Sequence, residues 1–480
     1  MEVVFDFDSV KRQPIIKSNI LDLIREHFSV EDKALLFMRR RLGRNMPVRK
    51  YAIGNKGHFD IPFYDQICLE LKIKFPSIQI NATDAFIKAK SIDKISTTPL
   101  ALNLIPREYQ LQSATEALNV GHGVIVLPTS AGKTFTMALI ANTAVQEKNY
   151  NVLILVPNIQ LVQQTYQDFL DYGISEQLIS KWTGNYEFVS TKIVIANSQI
   201  LLSKKQNTDV LQNFQVLICD EVHKLATAEK ISKLVKPLKC IHKFGLTGSL
   251  PENKFDVWSI NKIFGPVIYH KESIELRDDK FISKVRVVGL ELTYNNIPEF
   301  TKPSMADPTA GYEEESVWLH TNEYRNSIIA KLINKLETNT LILVDRIVHG
   351  EHLLEYLKSN TDKQIYFIQG SVEVEEREKM RELMETTSGI VCVAISKIFS
   401  TGISIKNLHN VIFASIGKAR IKIIQSIGRS LRLHHTKEIA TIFDIADTSL
   451  IYGFKHFEER KRLYETEKIP LILNRLVEKC

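Results

Sequence analysis

Two carboxylates stand where a buried strand is expected to end. The run Val216–Cys219 is wholly apolar, and it is followed directly by Asp220 and Glu221 and, two residues later, by His223. Such a run suits a strand of a parallel sheet, and the carboxyl ends of parallel strands are where α/β proteins bind ligands. One carboxylate there can hold Mg²⁺ and the next can polarise a water molecule. Taken alone, the same pair could equally cap a helix.

A second segment has the order of strand, phosphate-binding loop and helix. Residues 128–134 read Pro-Thr-Ser-Ala-Gly-Lys-Thr and lie between an apolar run at 124–127 and a mostly apolar stretch at 135–145. Backbone N–H groups of such a loop bind phosphates, its lysine reaches the β- and γ-phosphates, and its hydroxyl binds Mg²⁺. The strict pattern has glycine at position 127, where this chain has leucine. The two segments together predict a nucleoside triphosphatase that uses Mg²⁺, with phosphate contacts from Pro128, Thr129, Ser130, Ala131, Gly132, Lys133 and Thr134, and metal ligands Thr134 and Asp220.

The rest of the chain supplies the strands that position these residues. Short apolar runs alternate with helical patterns, which predicts parallel, doubly wound sheets. A first set of strands is expected at 124–127, 152–156, 193–196, 216–219 and 244–246, and a second set at 341–344, 365–368, 390–394, 411–414 and 441–443. We therefore predict an α/β fold with a small α+β N-terminal domain at 1–100 and two motor-like domains at 101–290 and 291–480. In the N-terminal domain, Ser18 is a plausible N-cap for a helix over 19–28.

Length and composition narrow the class of protein. A chain of 480 residues with 44% hydrophobic and 24% charged residues has ordinary globular composition. No apolar run approaches the ~18 residues needed to cross a bilayer, and the five cysteines are scattered without a C-x-x-C pair. These features predict a soluble cytoplasmic protein with no membrane partner, no disulfides and no zinc.

Positive charge is concentrated near the N-terminus. Residues 1–100 hold 17 Lys and Arg against 12 Asp and Glu, so +5 of the net charge of +7 lies in the first fifth of the chain. Such a local excess is typical of a surface that binds a polyanion, although most charge runs are only solvated faces. We predict nucleic-acid contacts from the acid-free stretch 39–56, at Arg39, Arg40, Arg41, Arg44, Arg49 and Lys50.

The order of several further segments resembles superfamily 2 helicases of the DEAH-box type, over roughly residues 104–450. In addition to the two segments above, the resemblance rests on Pro106-Arg-Glu-Tyr-Gln110, Leu155-Val-Pro-Asn158, Ala196-Asn-Ser-Gln199, Leu246-Thr-Gly-Ser249, Phe399-Ser-Thr-Gly-Ile-Ser404 and Gln425-Ser-Ile-Gly-Arg-Ser-Leu-Arg432. It implies two tandem RecA-like domains that bind ATP between them.

The resemblance also implies a role for each segment. Phosphoryl transfer needs a cation clamp, a metal, a base that orients water, and arginines directed at the γ-phosphate. Lys133, Asp220, Glu221, Gln425, Arg429 and Arg432 would form that catalytic set, Arg107, Tyr109 and Gln110 would bind adenine, and Gly402 and Ser404 would lie at the ribose, where the family often has an acid in place of Ser404. His223, Thr247 and Ser249 would couple ATP turnover to the nucleic acid, and Pro157, Asn158, Thr183, Gly184, Asn197, Ser198, Gly370 and Thr401 would contact it.

Within this superfamily, the segments at 127–134, 398–414 and 425–433 look like those of bacteriophage UvsW-type branch-migration helicases. That similarity implies a DNA partner, branched or duplex with single-stranded regions, such as Holliday junctions, forks, D-loops or R-loops, and work in recombination, repair or replication. An RNA helicase, the motor subunit of a restriction-type complex and a nucleotide-gated DNA clamp without turnover stay open as alternatives.

A long polar segment separates the two sets of strands. Residues 295–312 are rich in Pro, Asn, Gly and Thr, which is unusual inside a compact domain. Its aromatic residues Phe300 and Tyr312 could act as a wedge between nucleic-acid strands, or they could pack on the motor together with Trp318.

Overall fold

A computed structural model describes residues 1–32, 36, 48–96, 98–128, 131–202, 208–226, 235, 238–272, 275, 284–304, 307, 309–369, 374–396, 405, 407–415, 439–466 and 468–478. The chain divides into two compact units. The first comprises residues 1–128 and 132–271, and the second comprises residues 272–480 together with 129–131.

The first hundred residues form a small α+β layer within the first unit. A three-stranded sheet has the order β2-β1-β5, in which β1 is antiparallel to β2 and parallel to β5. A separate antiparallel ribbon pairs β3 with β4. The elements are β1 Glu2–Asp8, β2 Gln13–Lys17, α1 Leu21–His27, β3 Ser29–Glu31, β4 Arg49–Tyr51, α2 Tyr64–Lys74, β5 Gln79–Ala82 and α3 Asp84–Lys90, with a 3₁₀ turn at Ile61–Phe63.

The remainder of the first unit is a seven-stranded parallel sheet with helices between most successive strands. Its order is β12-β6-β11-β10-β7-β9-β8. The strands are β6 His122–Val126, β7 Val152–Val156, β8 Ile179–Trp182, β9 Ile193–Asn197, β10 Val216–Cys219, β11 His242–Thr247 and β12 Val267–His270. The helices are α4 Glu108–Val120, α5 Lys133–Lys148, α6 Ile159–Asp171, α7 Thr208–Leu211, α8 Val222–Ala226 and α9 Lys254–Phe264, with 3₁₀ turns at Glu176–Leu178 and Ser198–Leu202.

The second unit is another seven-stranded parallel sheet, with the order β15-β16-β14-β17-β18-β13-β19. The strands are β13 Lys284–Thr293, β14 Thr340–Val344, β15 Ile365–Ile368, β16 Val391–Ile395, β17 Asn410–Phe413, β18 Ile439–Ala446 and β19 Leu471–Val477. The helices are α10 Tyr312–Thr321, α11 Glu323–Lys335, α12 Ile347–Asn360, α13 Val374–Thr386 and α14 Ile451–Thr466. Two doubly wound parallel sheets confirm the predicted class of tandem RecA-like domains. Since β13 lies in this second sheet, a division of the chain at residue 290 falls within a strand.

The N-terminal layer shares its hydrophobic core with helix α9. Trp258 of α9 is 1% exposed and packs among the buried aromatic side chains of the layer, with its ring centroid 5.3 Å from that of Phe28. The carboxylate of Glu70 receives hydrogen bonds from Trp258 Nε1 at 2.7 Å and from Gln66 Nε2 at 3.0 Å. It also lies 2.9 Å from His27 Nε2 and 3.0 Å from Lys254 Nζ. We call this cluster the Glu70 joint.

The aromatic residues of the segment 295–312 pack on the second unit. Phe300 meets Trp318 edge-to-face, with ring centroids 6.0 Å apart. Tyr312 begins helix α10 and contacts Tyr452 in the same manner at 5.3 Å. Both side chains border the hydrophobic core. The structure therefore favours the packing role over the strand-separating wedge.

One local expectation is wrong. Ser18 does not cap a helix at 19–28, because α1 begins at Leu21 and its N-cap is Ile20. The Ser18 hydroxyl instead donates to the carbonyl oxygen of Glu2, which ties the start of α1 to β1.

Within the part of the chain that the structure describes, no helix is long and apolar enough to span a bilayer.

Candidate functional site

The phosphate-binding loop connects β6 to α5. Gly132 is the N-cap of α5 and has a left-handed backbone with φ of 77°. The backbone angle favours glycine, and a Cβ atom at this position would lie 2.3 Å from Gln110 Nε2, so a larger residue would also have to displace the Gln110 amide. Lys133 is 8% exposed, and its Nζ donates to the carbonyl oxygen of Leu127 at 3.4 Å. Leucine at 127, the departure from the strict pattern, is fully buried and supplies this contact through its backbone.

The carboxylates lie at the end of β10, two strands away from β6 in the sheet. Asp220 is 8% exposed and Glu221 is 5% exposed. Glu221 Oε1 is 3.9 Å from Lys133 Nζ. Both of these contacts are longer than an ordinary hydrogen bond, so with respect to the described residues the lysine keeps donor capacity for phosphate oxygens. Asp220 accepts a hydrogen bond from the Glu221 backbone N–H at 2.9 Å, and Glu221 has a φ of 48°. A non-glycine residue in this region is strained, which is typical of functional sites.

A histidine and a threonine connect these carboxylates to the end of β11. His223 Nδ1 lies 2.7 Å from Thr247 Oγ1 and 3.4 Å from Glu221 Oε2. The Thr247 hydroxyl donates to the carbonyl oxygen of Ser249 at 2.7 Å, so it can only accept from His223, and Nδ1 therefore carries the proton. The backbone N–H of Ser249 returns to Thr247 Oγ1 at 3.4 Å. The three residues predicted for coupling thus form one chain of contacts that starts at Glu221.

The predicted adenine segment lies at the start of α4. Gln110 is 5% exposed, and its Oε1 accepts from the backbone N–H of Arg107 at 3.0 Å. Its amide nitrogen lies against Gly132 of the phosphate loop. Tyr109 is 3% exposed and its hydroxyl accepts from Arg107 Nη1 at 2.9 Å. Of the two candidates for stacking on adenine, the half-buried Arg107 is accessible and Tyr109 belongs to the core.

The residues predicted to contact nucleic acid follow the other three strands of the same sheet edge. Pro157 and Asn158 come after β7, Asn197 ends β9 and Ser198 follows it, and Thr183 and Gly184 come after β8. Because all seven strands are parallel, these ends lie at the edge that also carries the phosphate loop and the carboxylates. The nucleotide half of the edge is formed by β6, β11 and β10, and the other half by β7, β9 and β8.

Most of these side chains already have structural roles. Asn158 is the N-cap of α6 and accepts from the Leu161 N–H at 2.9 Å. Thr183, Asn197 and Ser198 are 3%, 4% and 3% exposed. If these segments contact nucleic acid as predicted, the contacts would fall mainly to backbone groups and to exposed Gly184, where an added Cβ atom would meet no other atom within 4 Å. Asn197 Oδ1 is buried without a hydrogen-bond partner among the described residues.

Two of the N-terminal basic residues are paired with carboxylates. Arg49 Nη1 lies 2.8 Å from Glu26 Oε1, and Lys50 Nζ lies 2.5 Å from Asp32 Oδ2. The stretch 39–56 has no acid of its own, yet the fold brings acids from other segments to it. Contact of Arg49 and Lys50 with nucleic acid stays a prediction, and it would compete with these pairs.

Several predicted residues lie outside the described part of the chain. They belong to the tip of the phosphate loop, to the N-terminal basic run and to the signatures of the second domain, namely Thr129, Ser130, Arg39, Arg40, Arg41, Arg44, Gly370, Thr401, Gly402, Ser404, Gln425, Arg429 and Arg432.

Two family models match the chain. The model described as the Type III restriction enzyme, res subunit, matches residues 72–252, and the helicase conserved C-terminal domain matches residues 324–434. A relative from Enterobacteria phage T4, the ATP-dependent DNA helicase uvsW, is 32% identical over 393 residues, which cover 77% of this chain and 76% of the relative. The chain belongs to the UvsW family of superfamily 2 helicases. It is therefore an ATP-driven helicase.

Solved structures with lower identity share the fold of this UvsW-family chain. A fragment of a putative HsdR subunit of a type I restriction enzyme from Vibrio vulnificus is 18% identical and covers 83% of this chain and 75% of its own, with a TM-score of 0.57. Dbp5 of S. cerevisiae bound to RNA and ADP BeF3 is 14% identical and covers 77% and 90%, with a TM-score of 0.54. At these identities the likeness shows a shared fold.

Sequence reasoning missed how closely the site residues depend on one another. The sequence predicted an adenine contact for Gln110 and a phosphate contact for Gly132, but it did not indicate that the Gln110 side chain lies against the Gly132 backbone. The left-handed backbone of Glu221 also had no signal in the sequence, because glutamate is not a residue type that favours it.

Proposed function

We propose that this chain is an ATP-dependent DNA helicase that remodels branched DNA, such as Holliday junctions, forks, D-loops or R-loops, in recombination, repair or replication. The observation that carries the proposal is the 32% identity to the phage T4 ATP-dependent DNA helicase over three quarters of both chains. The site geometry supports it, because one sheet edge presents a phosphate loop, two carboxylates and a row of strand-end loops.

The residues of the first unit fit ATP with Mg²⁺. The glycine cradle of the loop and the buried ammonium of Lys133 suit phosphate oxygens, and Thr134 and Asp220 offer the oxygen ligands that Mg²⁺ prefers. Bound Mg²⁺ would neutralise charge that develops on the phosphates. Glu221 would orient and deprotonate the attacking water. Its contact with His223, and the contact of His223 with Thr247, would transmit the state of the nucleotide site to the loop that follows β11.

The strand-end loops would grip the backbone of one strand. Contacts to phosphate and sugar carry little sequence information, so this grip suits a motor that moves along any DNA. The residues of the second unit that would complete the site, Gln425, Arg429 and Arg432, would supply positive charge and water contacts at the γ-phosphate by analogy with the family. We also propose that the chain is a superfamily 2 helicase of the DEAH-box type.

The N-terminal basic run would hold duplex arms of the branched substrate. Arg39, Arg40, Arg41 and Arg44 have no neighbouring acid in sequence, whereas Arg49 and Lys50 have carboxylate partners in the fold. Phosphate contacts from Arg49 and Lys50 would require these two ion pairs to open.

A second candidate function is the motor subunit of a restriction-type complex, which the family model over residues 72–252 favours. The discriminating experiment measures ATP hydrolysis with single-stranded DNA, linear duplex, a four-way DNA junction and single-stranded RNA. Stronger stimulation and unwinding with the junction than with linear duplex supports the proposal. Stimulation by linear duplex alone favours the restriction-type motor, and stimulation by RNA alone overturns a DNA substrate.

Two variants test the assigned chemistry in the same assay. Lys133→Ala and Glu221→Gln should each lower DNA-stimulated hydrolysis by about 100-fold or more, the usual scale for removing one such group. Glu221→Gln should still bind ATP, because Asp220 and the phosphate loop are intact. Lys148→Ala and Glu147→Gln, exposed positions at the other end of α5, are the matched controls and should behave as wild type. Near-normal turnover in either site variant would refute the assignment.

A further inference from the structure

A tight turn follows strand β8 at the outer end of the edge that carries the site. The backbone N–H of Thr183 donates to the carbonyl oxygen of Tyr186 at 3.1 Å, and the N–H of Tyr186 donates back to the carbonyl oxygen of Thr183 at 3.2 Å. The side chain of Thr183 is buried, and its Oγ1 accepts from the N–H of Asn185 at 3.2 Å. These hydrogen bonds close the turn and hold the backbone of Tyr186, its last residue, in place.

Tyr186 is the large side chain that this turn presents to solvent. It is 47% exposed. The ammonium of Lys181, on β8, lies 4.5 Å from the centroid of the Tyr186 ring and 4.5 Å from that of Tyr166, on α6. Lys181 Nζ also donates to Gln163 Oε1 at 2.9 Å. The cation thus holds the Tyr186 ring in place through one face, since such contacts are favourable within about 6 Å.

The position of this ring relates it to the strand-end loops. Strand β8 is the edge strand, β9 is next and β7 follows, so the turn lies two strand positions from the loop after β7. Neighbouring strands are about 4.8 Å apart, which places the two loop bases roughly 10 Å from each other along the edge. A strand of nucleic acid that follows these loops would pass the Tyr186 ring after leaving Gly184.

We propose that Tyr186 is a base-stacking residue for single-stranded DNA held along this edge, with Lys181 as the residue that positions its ring. The inference rests on the proposed function. An aromatic ring stacks on any base, so the contact suits a motor without sequence preference, and it adds affinity that backbone contacts alone do not provide. A preorganised ring costs less side-chain entropy on binding than a mobile one.

The test is a titration of single-stranded oligonucleotides, each with 2-aminopurine at one position, at four salt concentrations. Tyr186→Ala and Tyr186→Leu should each weaken binding roughly tenfold. The slope of log affinity against log salt should stay that of wild type, since stacking releases no counterions. Tyr186→Phe should bind as wild type and keep the wild-type fluorescence quenching at one oligonucleotide position. Tyr166→Leu, which removes the other ring beside Lys181, is the matched control.

The outcomes separate this inference from the proposed function. Unchanged affinity of Tyr186→Leu, a flatter salt slope, or a loss in Tyr186→Phe equal to that in Tyr186→Leu would overturn base stacking while DNA-stimulated ATPase of the wild type remains. A wild-type protein that binds no DNA would overturn both. Leucine keeps the apolar bulk, so its loss of binding with an unchanged unfolding midpoint excludes misfolding as the cause.

Discussion

Replacing Glu70, the centre of the Glu70 joint, should loosen the attachment of the N-terminal layer to the first motor sheet by a measurable amount. Glu70 is 8% exposed and Trp258 is 1% exposed. Glu70→Ala leaves the indole N–H buried without an acceptor, which costs about 1–3 kcal/mol. The half-buried contacts from Gln66 and His27 add about 1 kcal/mol together. Lys254, with a side chain 56% exposed, adds little. The expected loss in free energy of unfolding is therefore about 3 kcal/mol.

Glu70→Gln distinguishes the hydrogen bond from the charge. The amide oxygen still accepts from Trp258, so we expect a loss of only about 1 kcal/mol near neutral pH. Burial by itself raises the pKa of Glu70, and the hydrogen bonds from Gln66, Trp258 and Lys254 more than offset it, so the pKa lies below its usual value. A carboxyl group with a lowered pKa stabilises the fold at neutral pH, and that stabilisation is lost as the pH falls through its folded pKa. The gap between wild type and Glu70→Gln should accordingly shrink on acidification.

The assay is urea unfolding followed by circular dichroism, combined in a double-mutant cycle with Trp258→Phe. The two side chains are in contact, so the cycle should give a coupling of about 1.5–3 kcal/mol. Glu31→Ala, an exposed acid of the same layer, is the control and should change stability by less than about 0.5 kcal/mol. Additive effects of the two substitutions within about 0.5 kcal/mol would refute the reasoning.

Two further predictions concern the second unit. His320 is 6% exposed, and burial, aided by the charges of Arg325 and Arg346, lowers its pKa to about 4. In the unfolded chain the same histidine takes up a proton near pH 6.5. The free energy of unfolding should therefore fall as the pH is lowered from about 6.5 to 4, by about 3 kcal/mol in all. His320→Asn should make the free energy of unfolding less dependent on pH over that range, and His270→Asn, at an exposed position of the first unit, should not. Equal pH dependence in the two variants would contradict the account. Phe300→Ala should lower the free energy of unfolding of the second unit by about 1–3 kcal/mol, because it removes the contact with the Trp318 ring. DNA-stimulated ATPase should stay normal at temperatures well below the unfolding midpoint. Loss of strand separation without loss of stability would instead support the hypothesis that Phe300 acts as a wedge between nucleic-acid strands.

The central strands of both sheets could be predicted from the sequence because burial on two faces imposes an uninterrupted apolar run. All ten predicted strands are present, and Val152–Val156, Val216–Cys219 and Ile365–Ile368 have the predicted bounds. Four strands of these sheets were missed, and three of them, β8, β12 and β19, are edge strands. An edge strand is open on one side, so its residues mix polar and apolar types, as in the Ile-Ser-Lys-Trp of β8.

The chemistry of the site could be predicted where residues that act together are near in sequence or follow a strand. The phosphate loop and the Asp220-Glu221 pair have that property. The attachment of the N-terminal layer does not, because Glu70 and Trp258 are 188 residues apart and neither belongs to a recognisable pattern. The ion pair of Lys50 with Asp32 could not be predicted for a similar reason, because the absence of acids within a stretch of sequence does not show which acids the fold places next to it.

The pairing of β13 with β19 has a consequence for how the protein is made. All residues of the first unit have been synthesised once residue 271 is added, whereas β13 lies between β18 and β19, which are the last two described strands of the second sheet in sequence order. At synthesis rates of about 5–20 residues per second, β13 would wait roughly 10–40 s for its neighbours. The first unit would thus fold well before the second sheet can close. During that interval the nascent chain would carry a folded nucleotide-binding unit and an incomplete second unit, whose exposed apolar strands would be binding sites for chaperones.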